Sequence, residues 1–331
     1  MSRPASVRRP TMVDVAQRAG VSLKTVSRVV NNEPAVAPEL VDRVLAAIAE
    51  LRFRRNDIAR NLRSTRANAT IGLLIEEIAN PFYATIAAVT AEVASAHNTL
   101  LITTSSEEDP ERERELLLDL TARRVDGLLV VPAGPDHSFL RREMEMGTPV
   151  VFLDRPAGDL FADTVLLDNQ GGSREGIAQL LAAGHRRIGV LLDSLRVYTM
   201  QERLAGARAE MGPAYDAALV REGVKGPEDA ARVVAEMLAL DDPPTAFFAT
   251  NNRITVGALQ ELHRRGSNAA LLGFDDFELS HLMPRPVTLI AYDVRELGRL
   301  AADRLFARIA GDESPPATTV VPTHLIERGI R

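Results

Sequence analysis

Hydrophobic positions between residues 11 and 51 recur at helical spacing in three short stretches. Thr11 offers an N-cap hydroxyl to the first stretch, with Asp14 three residues on, and Gly20 permits the positive φ that ends a helix. Ser22 can cap the second stretch, which we expect to end near residue 31, and Pro38 stands in the first turn of the third. The expected apolar faces are Met12, Val15, Ala16 and Ala19; Val26, Val29 and Val30; and Val41, Val44, Leu45, Ile48 and Leu51.

From residue 70 onward, short apolar runs alternate with amphipathic stretches. Runs typical of buried strands lie at 71–75, 100–104, 127–131, 150–153, 164–167, 187–192, 246–249, 270–274 and 288–290. Helical stretches lie at 83–97, 110–123, 172–183, 201–211, 227–240 and 255–265. This alternation predicts parallel sheets with crossover helices, and so many units exceed one sheet, so we expect two Rossmann-like lobes. Ligands of such sheets bind beyond the carboxyl ends of the strands, which places a candidate site between the lobes.

The second helical stretch leaves a mainly polar face outward, formed by Leu23, Lys24, Thr25, Ser27 and Arg28. A helix, a glycine-containing turn and a second helix form the unit that enters the major groove of DNA, although a plain three-helix domain has the same periodicity. Lys24 and Arg28 can donate to guanine O6 and N7, whereas Leu23 can contact only a thymine methyl group or a sugar. The short polar side chains suited to phosphates are Ser22, Thr25, Ser27 and Asn31.

Charge is distributed unequally along the 331 residues, whose net charge is -6. Residues 1–66 hold 13 basic and 6 acidic residues, a net charge of +7, which leaves 26 basic and 39 acidic residues, a net charge of -13, in the remainder. A basic head on an acidic body fits a polyanion partner at one end, and it fits a solvated basic tail equally well. We expect residues 1–10 to form a disordered basic arm.

Composition and motifs argue against several other classes of protein. The absence of cysteine excludes disulfides and Cys-ligated metal sites, and no apolar run approaches the roughly 18 residues of a membrane span. With no secretory signal pattern, a cytoplasmic location is expected. No phosphate loop, dinucleotide fingerprint or zinc-protease motif occurs, and the six histidines lack metal spacing, so we expect no enzyme activity, no cofactor and no metal. His185 has the position of a structural turn residue. The acidic run at 107–111 is typical of the solvated start of a helix.

The turn region resembles a known family of regulators. The runs DVAQRAGVS at 14–22 and TVSRVVN at 25–31 closely resemble the signature of the lactose-repressor (LacI/GalR) family. Similar motifs continue at 52–56 (RFRRN), 80–83 (NPFY), 125–128 (VDGL), 152–155 (FLDR), 168–169 (DN), 184–189 (GHRRIG), 203–206 (RLAG) and 273–276 (GFDD). The resemblance implies an all-α helix-turn-helix head (11–55), a hinge (56–66) and a two-lobed, periplasmic-binding-protein-like α/β core (67–331) that binds an effector and dimerises. It places one lobe at 67–165 and 293–321 and the other at 168–290 and 324–331.

The same resemblance assigns DNA contacts. It implies that Leu23, Lys24 and Arg28 face bases, and that the hinge becomes helical on DNA and pairs with its dimer mate in the minor groove. Leu62 matches the apolar wedge that opens a base step. The other hinge positions expected on DNA are Ala59, Arg60 and Arg63. Arg55 stands where the family has proline, which leaves the free hinge less pre-organised.

Effector contacts are implied in the same way. Phe82 and Tyr83 match positions that stack on the effector. The matching polar positions, which grip hydroxyls or a purine, are Asp154, Arg203, Asn251 and Asp275. Asn252 replaces the family's aspartate, the loop at 266–273 is short, and the stretch 193–200 shows no pattern typical of a ligand site.

We therefore expect a transcriptional repressor that binds near-palindromic double-stranded DNA as a homodimer, away from any membrane. Its effector is expected to be a sugar or sugar derivative. A purine-like co-repressor or a partner protein is the alternative signal. A solute-binding protein or an enzyme built on the same lobes is the alternative class, and residues 11–63 argue against it.

Overall fold

The computed structural model describes residues 11–30, 36–51 and 69–330. The chain forms two compact units, Met1–Ala67 and Asn68–Arg331. We call the first the head and the second the core, and each is described by itself. Within the described residues, no helix is long and apolar enough to cross a membrane.

The head contains helices α1 (Met12–Ala19), α2 (Leu23–Val30) and α3 (Pro38–Leu51). As predicted, Thr11 caps α1: its hydroxyl accepts from Asp14 N, and Asp14 Oδ2 accepts from Thr11 N at 2.6 Å. Gly20 ends α1 at φ 63°. Each helix contributes one fully buried valine to the small core, namely Val15, Val26 and Val44.

One predicted core residue of α3 is not buried. Leu45 is 52% exposed, while Ala47 lies in the core instead. Successive helical residues are rotated by about 100°, and the buried stripe of α3 is centred on Val44. Leu45 therefore falls beside the stripe, because in the described part of the head α1 and α2 pack on α3 and cover only one side of it.

Two six-stranded sheets form the core, one for each lobe. The first lobe has β1 (Ala69–Ile75), β2 (Thr99–Ser105), β3 (Gly127–Val130), β4 (Val150–Leu153), β5 (Asp163–Leu167) and β11 (Thr318–Val321), in the order β11-β5-β4-β3-β1-β2. The second has β6 (Ile188–Leu191), β7 (Val220–Arg221), β8 (Ala246–Ala249), β9 (Ala270–Phe274), β10 (Val287–Ala291) and β12 (His324–Arg328), in the order β12-β10-β9-β8-β6-β7. The strands pair in parallel except β12, which runs antiparallel to β10.

Helices cover both faces of each sheet. In the first lobe they are α4 (Pro81–Ala96), α5 (Pro110–Ala122), α6 (Arg141–Glu145) and α11 (Val294–Ile309). In the second they are α7 (Asn169–Ala182), α8 (Tyr198–Met211), α9 (Pro227–Leu238) and α10 (Asn252–Arg264). The chain passes between the sheets three times, after β5, after β10 and after β11. The fold class predicted from the alternating pattern is confirmed.

Strand and helix bounds follow the sequence pattern closely where side chains are buried on both faces. β4, β8 and β9 begin and end where the apolar runs do. β7, β11 and β12 were not predicted, because they lie at sheet edges or are short and carry few buried side chains.

Candidate functional site

A cleft opens between the lobes at the carboxyl ends of their strands. All six side chains that the resemblance assigns to an effector line it, namely Phe82, Tyr83, Asp154, Arg203, Asn251 and Asp275. The other lining residues are Glu76, Asn80, Glu108, Arg155, Asp193, Val197, Thr199, Met200 and Tyr292. The cleft therefore presents polar side chains from both lobes around a small volume, with aromatic rings on one side.

The aromatic side is built from α4 and from the crossing that follows β10. Phe82 and Tyr83 pack edge to face with ring centroids 4.8 Å apart, and Phe82 lies 6.1 Å from Tyr292. Tyr83 is buried, and its hydroxyl donates to Glu76 Oε2 at 2.7 Å. Burial raises the pKa of Tyr83 well above its usual value, and Glu76 and Asp154 add to the effect, so the phenol stays neutral.

Arg203 enters the cleft from α8, where it is almost completely buried. Its Nε donates to Asn169 Oδ1 at 2.8 Å and its Nη1 donates to the carbonyl oxygen of Thr250 at 2.6 Å. The guanidinium lies over the Phe274 ring, 3.6 Å from the centroid. Arg203 Nη2 is 3.6 Å from Asp275 Oδ1. The guanidinium is thus held in one orientation before any ligand arrives.

Two aspartates face the cleft from strand ends in opposite lobes. Asp154 follows β4 and Asp275 follows β9. Asp275 accepts hydrogen bonds from the Tyr292 hydroxyl at 2.6 Å and from Asn252 N at 3.3 Å. Burial raises the pKa of Asp154, although Arg155 and Arg203 oppose this shift. Asn251 has a structural task as well, because its side chain accepts from Ile254 N at 2.8 Å and caps α10.

An ion network in the first lobe was not predicted. Arg155 Nη1 donates to Glu108 Oε1 at 2.6 Å, and Arg155 Nη2 donates to Glu76 Oε2 at 2.5 Å and to Glu108 Oε2 at 2.9 Å. The interpretation of the acidic run as a solvated helix start is therefore wrong for Glu108, although Asp109 does cap α5. Glu76 immediately follows β1, so its position at a strand end was a usable signal.

Burial raises the pKa of Glu108 from 4.5 to about 7, against the lowering effect of Arg155. Glu76 contributes to the rise, because two carboxylates share one guanidinium. One carboxyl group of this network therefore changes its protonation near neutral pH.

The stretch 193–200 also belongs to the cleft, contrary to the sequence interpretation. Asp193, Val197, Thr199 and Met200 line it. Asp193 lies two residues beyond the end of β6, which again is a strand-end position. Burial and the charge of Glu76 raise the pKa of Asp193.

Helix α2 leaves the side chains that are expected to contact DNA at the surface of the head. Leu23 and Lys24 are exposed, and Thr25, Ser27 and Arg28 are partly exposed. Ser22 Oγ accepts from Thr25 N at 3.1 Å and lies 2.8 Å from Thr25 Oγ1, so this serine caps the helix as predicted. The remaining positions assigned to DNA lie outside the described residues, namely Asn31, Ala59, Arg60, Leu62 and Arg63.

Two further possibilities raised by the sequence were a structural role for His185 and a metal site. His185 Nδ1 lies 2.9 Å from Thr245 Oγ1, in keeping with a turn residue. Across the described part of the chain, no group of three or more His, Asp or Glu side chains could hold a metal ion.

Comparison with known proteins fits this architecture. The family described as bacterial regulatory proteins, lacI family, matches residues 11–56, and the periplasmic binding protein-like domain matches residues 177–329. The ribose operon repressor of Haemophilus influenzae is 31% identical over 328 residues, covering 97% of this chain and 98% of that protein. The regulator CelR of Thermobifida fusca is 32% identical over 335 residues, covering 97% of this chain and 98% of that protein.

Solved structures agree with these relatives. A CelR–cellobiose complex has a TM-score of 0.70 at 29% identity, covering 96% of this chain and 98% of that chain. A lac repressor dimer bound to operator has a TM-score of 0.71 at 27% identity, covering 96% and 98%. The chain belongs to the lacI family of bacterial regulatory proteins. It is a DNA-binding regulator of transcription with a ligand-binding α/β core.

Proposed function

We propose that this protein is a homodimeric repressor whose affinity for a near-palindromic operator changes when a sugar binds in the cleft. The observation that carries the proposal is the convergence of Asp154, Arg203 and Asp275 on one cleft from two lobes. Carboxylates accept hydrogen bonds from paired sugar hydroxyls, and a fixed guanidinium donates to a hydroxyl or ring oxygen. Phe82 supplies an apolar face against which a sugar ring can pack.

Two relatives support a sugar as the effector. The ribose operon repressor is a full-length match, and CelR has been solved in complex with cellobiose. A site that straddles two lobes gives the ligand a means of control, because it binds one arrangement of the lobes better than another. A coupling of about 1–3 kcal/mol between effector and operator is usual for such systems.

On the DNA side, we assign base contacts to Leu23, Lys24 and Arg28. Phosphate contacts fall to the short polar residues, which are Ser22, Thr25, Ser27 and Asn31. Minor-groove contacts fall to hinge residues Ala59, Arg60, Leu62 and Arg63. In this assignment residues 11–55 form the DNA-binding domain and 56–66 the hinge. The protein acts in the bacterial cytoplasm, where its operator is, and it catalyses no reaction.

Operator selection and effector titration test the proposal with the full-length protein. Binding selection from random duplexes is expected to return a two-fold symmetric site, bound by a dimer. Fluorescence anisotropy on that site, with D-ribose, cellobiose and other uncharged sugars as probes, is expected to show a sugar-dependent change in affinity. Monomeric binding to a non-repeated site contradicts the dimer. A response to a purine alone, or to no small molecule, contradicts the sugar.

A further inference from the structure

The guanidinium of Arg155 is already committed to protein acceptors. Nη1 donates to Glu108 and to the carbonyl oxygen of Pro132, both at 2.6 Å. Nη2 donates to Glu76 at 2.5 Å and to Glu108 at 2.9 Å. Only Nε makes no hydrogen bond among the described residues, and it lies 3.6 Å from Asp154 Oδ2. The positive charge of Arg155 is therefore balanced by two carboxylates within hydrogen-bonding distance.

Arg203 is committed in a similar way, but it keeps some donor capacity. Two of its nitrogen atoms donate to Asn169 and Thr250, and Nη2 faces Asp275 at 3.6 Å. The remaining N–H groups can serve a neutral oxygen of a ligand. Its charge, however, is paired with Asp275.

Near neutral pH, the formal charge of the side chains that line the cleft is not positive. Among the described residues that line the cleft, Glu76, Glu108, Asp154, Asp193 and Asp275 oppose Arg155 and Arg203, a formal charge of -3. Burial raises the pKa of three of these carboxyls, namely Glu108, Asp154 and Asp193. Even if all three bind protons, two carboxylates still balance two guanidiniums.

We propose that the cleft admits uncharged sugars and excludes their phosphorylated and carboxylated forms, a selectivity that rests on the proposed function and narrows it. A phosphate or carboxylate would have to displace Glu76 or Glu108 from Arg155. The displaced carboxylate, whose side chain is only 26% exposed in Glu76 and 32% exposed in Glu108, would then lose its buried cationic partner, which costs more than a fully exposed ion pair returns. Hydroxyl groups carry no such penalty, because each donates to a carboxylate and accepts from a free N–H.

Inorganic phosphate alone tests the charge argument, independently of effector identity. The full-length protein is melted with increasing phosphate against chloride of matched ionic strength. An ion at concentration c that binds only the folded state stabilises it by RT ln(1 + c/Kd), so the melting temperature rises with the logarithm of ion concentration above Kd. The variant is Glu76→Gln with Glu108→Gln, which frees Arg155 from both carboxylates. The matched control is Glu111→Gln with Glu115→Gln, which removes the same charge from exposed positions on α5.

The wild type and the control are expected to show the same small, linear rise in melting temperature, which comes from exclusion of phosphate from the protein surface. The double variant is expected to show an additional logarithmic rise, which corresponds to phosphate affinity at least about tenfold tighter than that of the wild type. A logarithmic rise in the melting temperature of the wild type as large as that of the double variant overturns the inference. Absence of binding in the double variant also overturns it, because pairing of Arg155 would then not be what excludes anions. If the double variant lacks a cooperative melt, Glu108→Gln alone is tested in the same way.

A matched ligand pair links the inference to function. D-ribose and D-ribose 5-phosphate, each titrated against the operator complex, separate the two proposals. A stronger response to the phosphate ester overturns the charge selectivity and leaves the repressor function intact. If neither ligand nor any other small molecule acts, the proposed effector control fails, and the phosphate titration still decides the charge inference.

Discussion

Asp154 and Asp275 occupy equivalent positions in the two lobes. Each follows the strand third from its sheet's edge, β4 or β9, and each has a positive φ, 67° for Asp154 and 74° for Asp275. Asp154 N donates to the carbonyl oxygen of Val165 at 2.9 Å, and Asp275 N donates to that of Ile290 at 3.0 Å. The same left-handed turn therefore delivers a carboxylate into the cleft from each side.

This turn makes a prediction about stability. Asp275→Ala and Asp275→Gly both remove the acceptor used by Tyr292 and Asn252, so they lose the same hydrogen bonds. A left-handed conformation costs an alanine about 1–2 kcal/mol and costs glycine almost nothing. We expect the glycine variant to be the more stable by about 1 kcal/mol in urea unfolding. The same order of stability is expected for Asp154→Gly and Asp154→Ala, because Asp154 also has a positive φ. A more stable alanine variant would show that the turn relaxes to negative φ.

Arg203→Ala is expected to abolish the response to effector while the protein still binds operator without ligand. The change leaves Asp275 without its buried cation and removes donors from Asn169 and Thr250, so a loss of about 3 kcal/mol or more in unfolding free energy is expected. Anisotropy at low temperature, with and without sugar, separates the two effects. If operator binding is lost and the response survives, Arg203 belongs to the scaffold alone.

Glu108 predicts a specific dependence of stability on pH. Its pKa is raised in the folded protein from 4.5 to about 7, so the folded state binds this proton more tightly than the unfolded state does. The wild type should therefore lose stability relative to Glu108→Gln as the pH rises from about 4.5 to about 7, and the difference should then level off. Urea unfolding of both proteins at several pH values measures it. Parallel curves across this range would show that Glu108 is ionised throughout.

The sequence predicted the cleft residues that directly follow a buried strand. Asp154 and Asp275 directly follow buried strands, and the ends of parallel strands meet at one edge. Glu108 could not be predicted in this way. Its φ of 60° turns the chain just before the helix cap, and its partner Arg155 lies 47 residues away. The prediction that Leu45 is buried is wrong for a related reason. Periodicity gives the direction of a side chain, but it does not show whether a neighbouring element covers that direction.

Lys24 and Arg28 predict how base preference responds to mutation. Lys24→Ala and Arg28→Ala should each relax preference at particular positions of the half-site, by about 1–3 kcal/mol for each bidentate pairing with a base that the substitution removes. Thr25→Ala is the comparison, since it should weaken binding evenly while the bond from residue 25 N to Ser22 Oγ still caps α2. Binding selection with each variant gives the preferences. If both Lys24→Ala and Arg28→Ala keep the base preferences of the wild type, other residues of the head contact the bases.

Contacts across the mouth of the cleft give the last prediction. Arg253 Nη1 lies 2.6 Å from Glu77 Oε2, and Asn252 Nδ2 donates to Asn80 Oδ1 at 3.2 Å. Glu77 and Asn80 follow β1 in one lobe, and Asn252 and Arg253 begin α10 in the other, so these pairs hold the lobes together. A ligand that binds the closed lobes benefits from every contact that favours closure.

Glu77→Gln and Arg253→Gln should each weaken sugar binding by a factor of about 1.4 to 5, since a partly exposed ion pair contributes about 0.2–1 kcal/mol. The double variant should bind no more weakly than either single variant, because the same single interaction is removed in all three. The matched control is the exposed pair Arg295–Glu92, also 2.6 Å long, which joins α11 to α4 within one lobe. Its glutamine variants should leave sugar affinity unchanged. Calorimetric titration of sugar into the wild type and each of these variants measures the affinities. Equal losses of affinity from both pairs would mean that surface charge, and not lobe closure, sets the affinity.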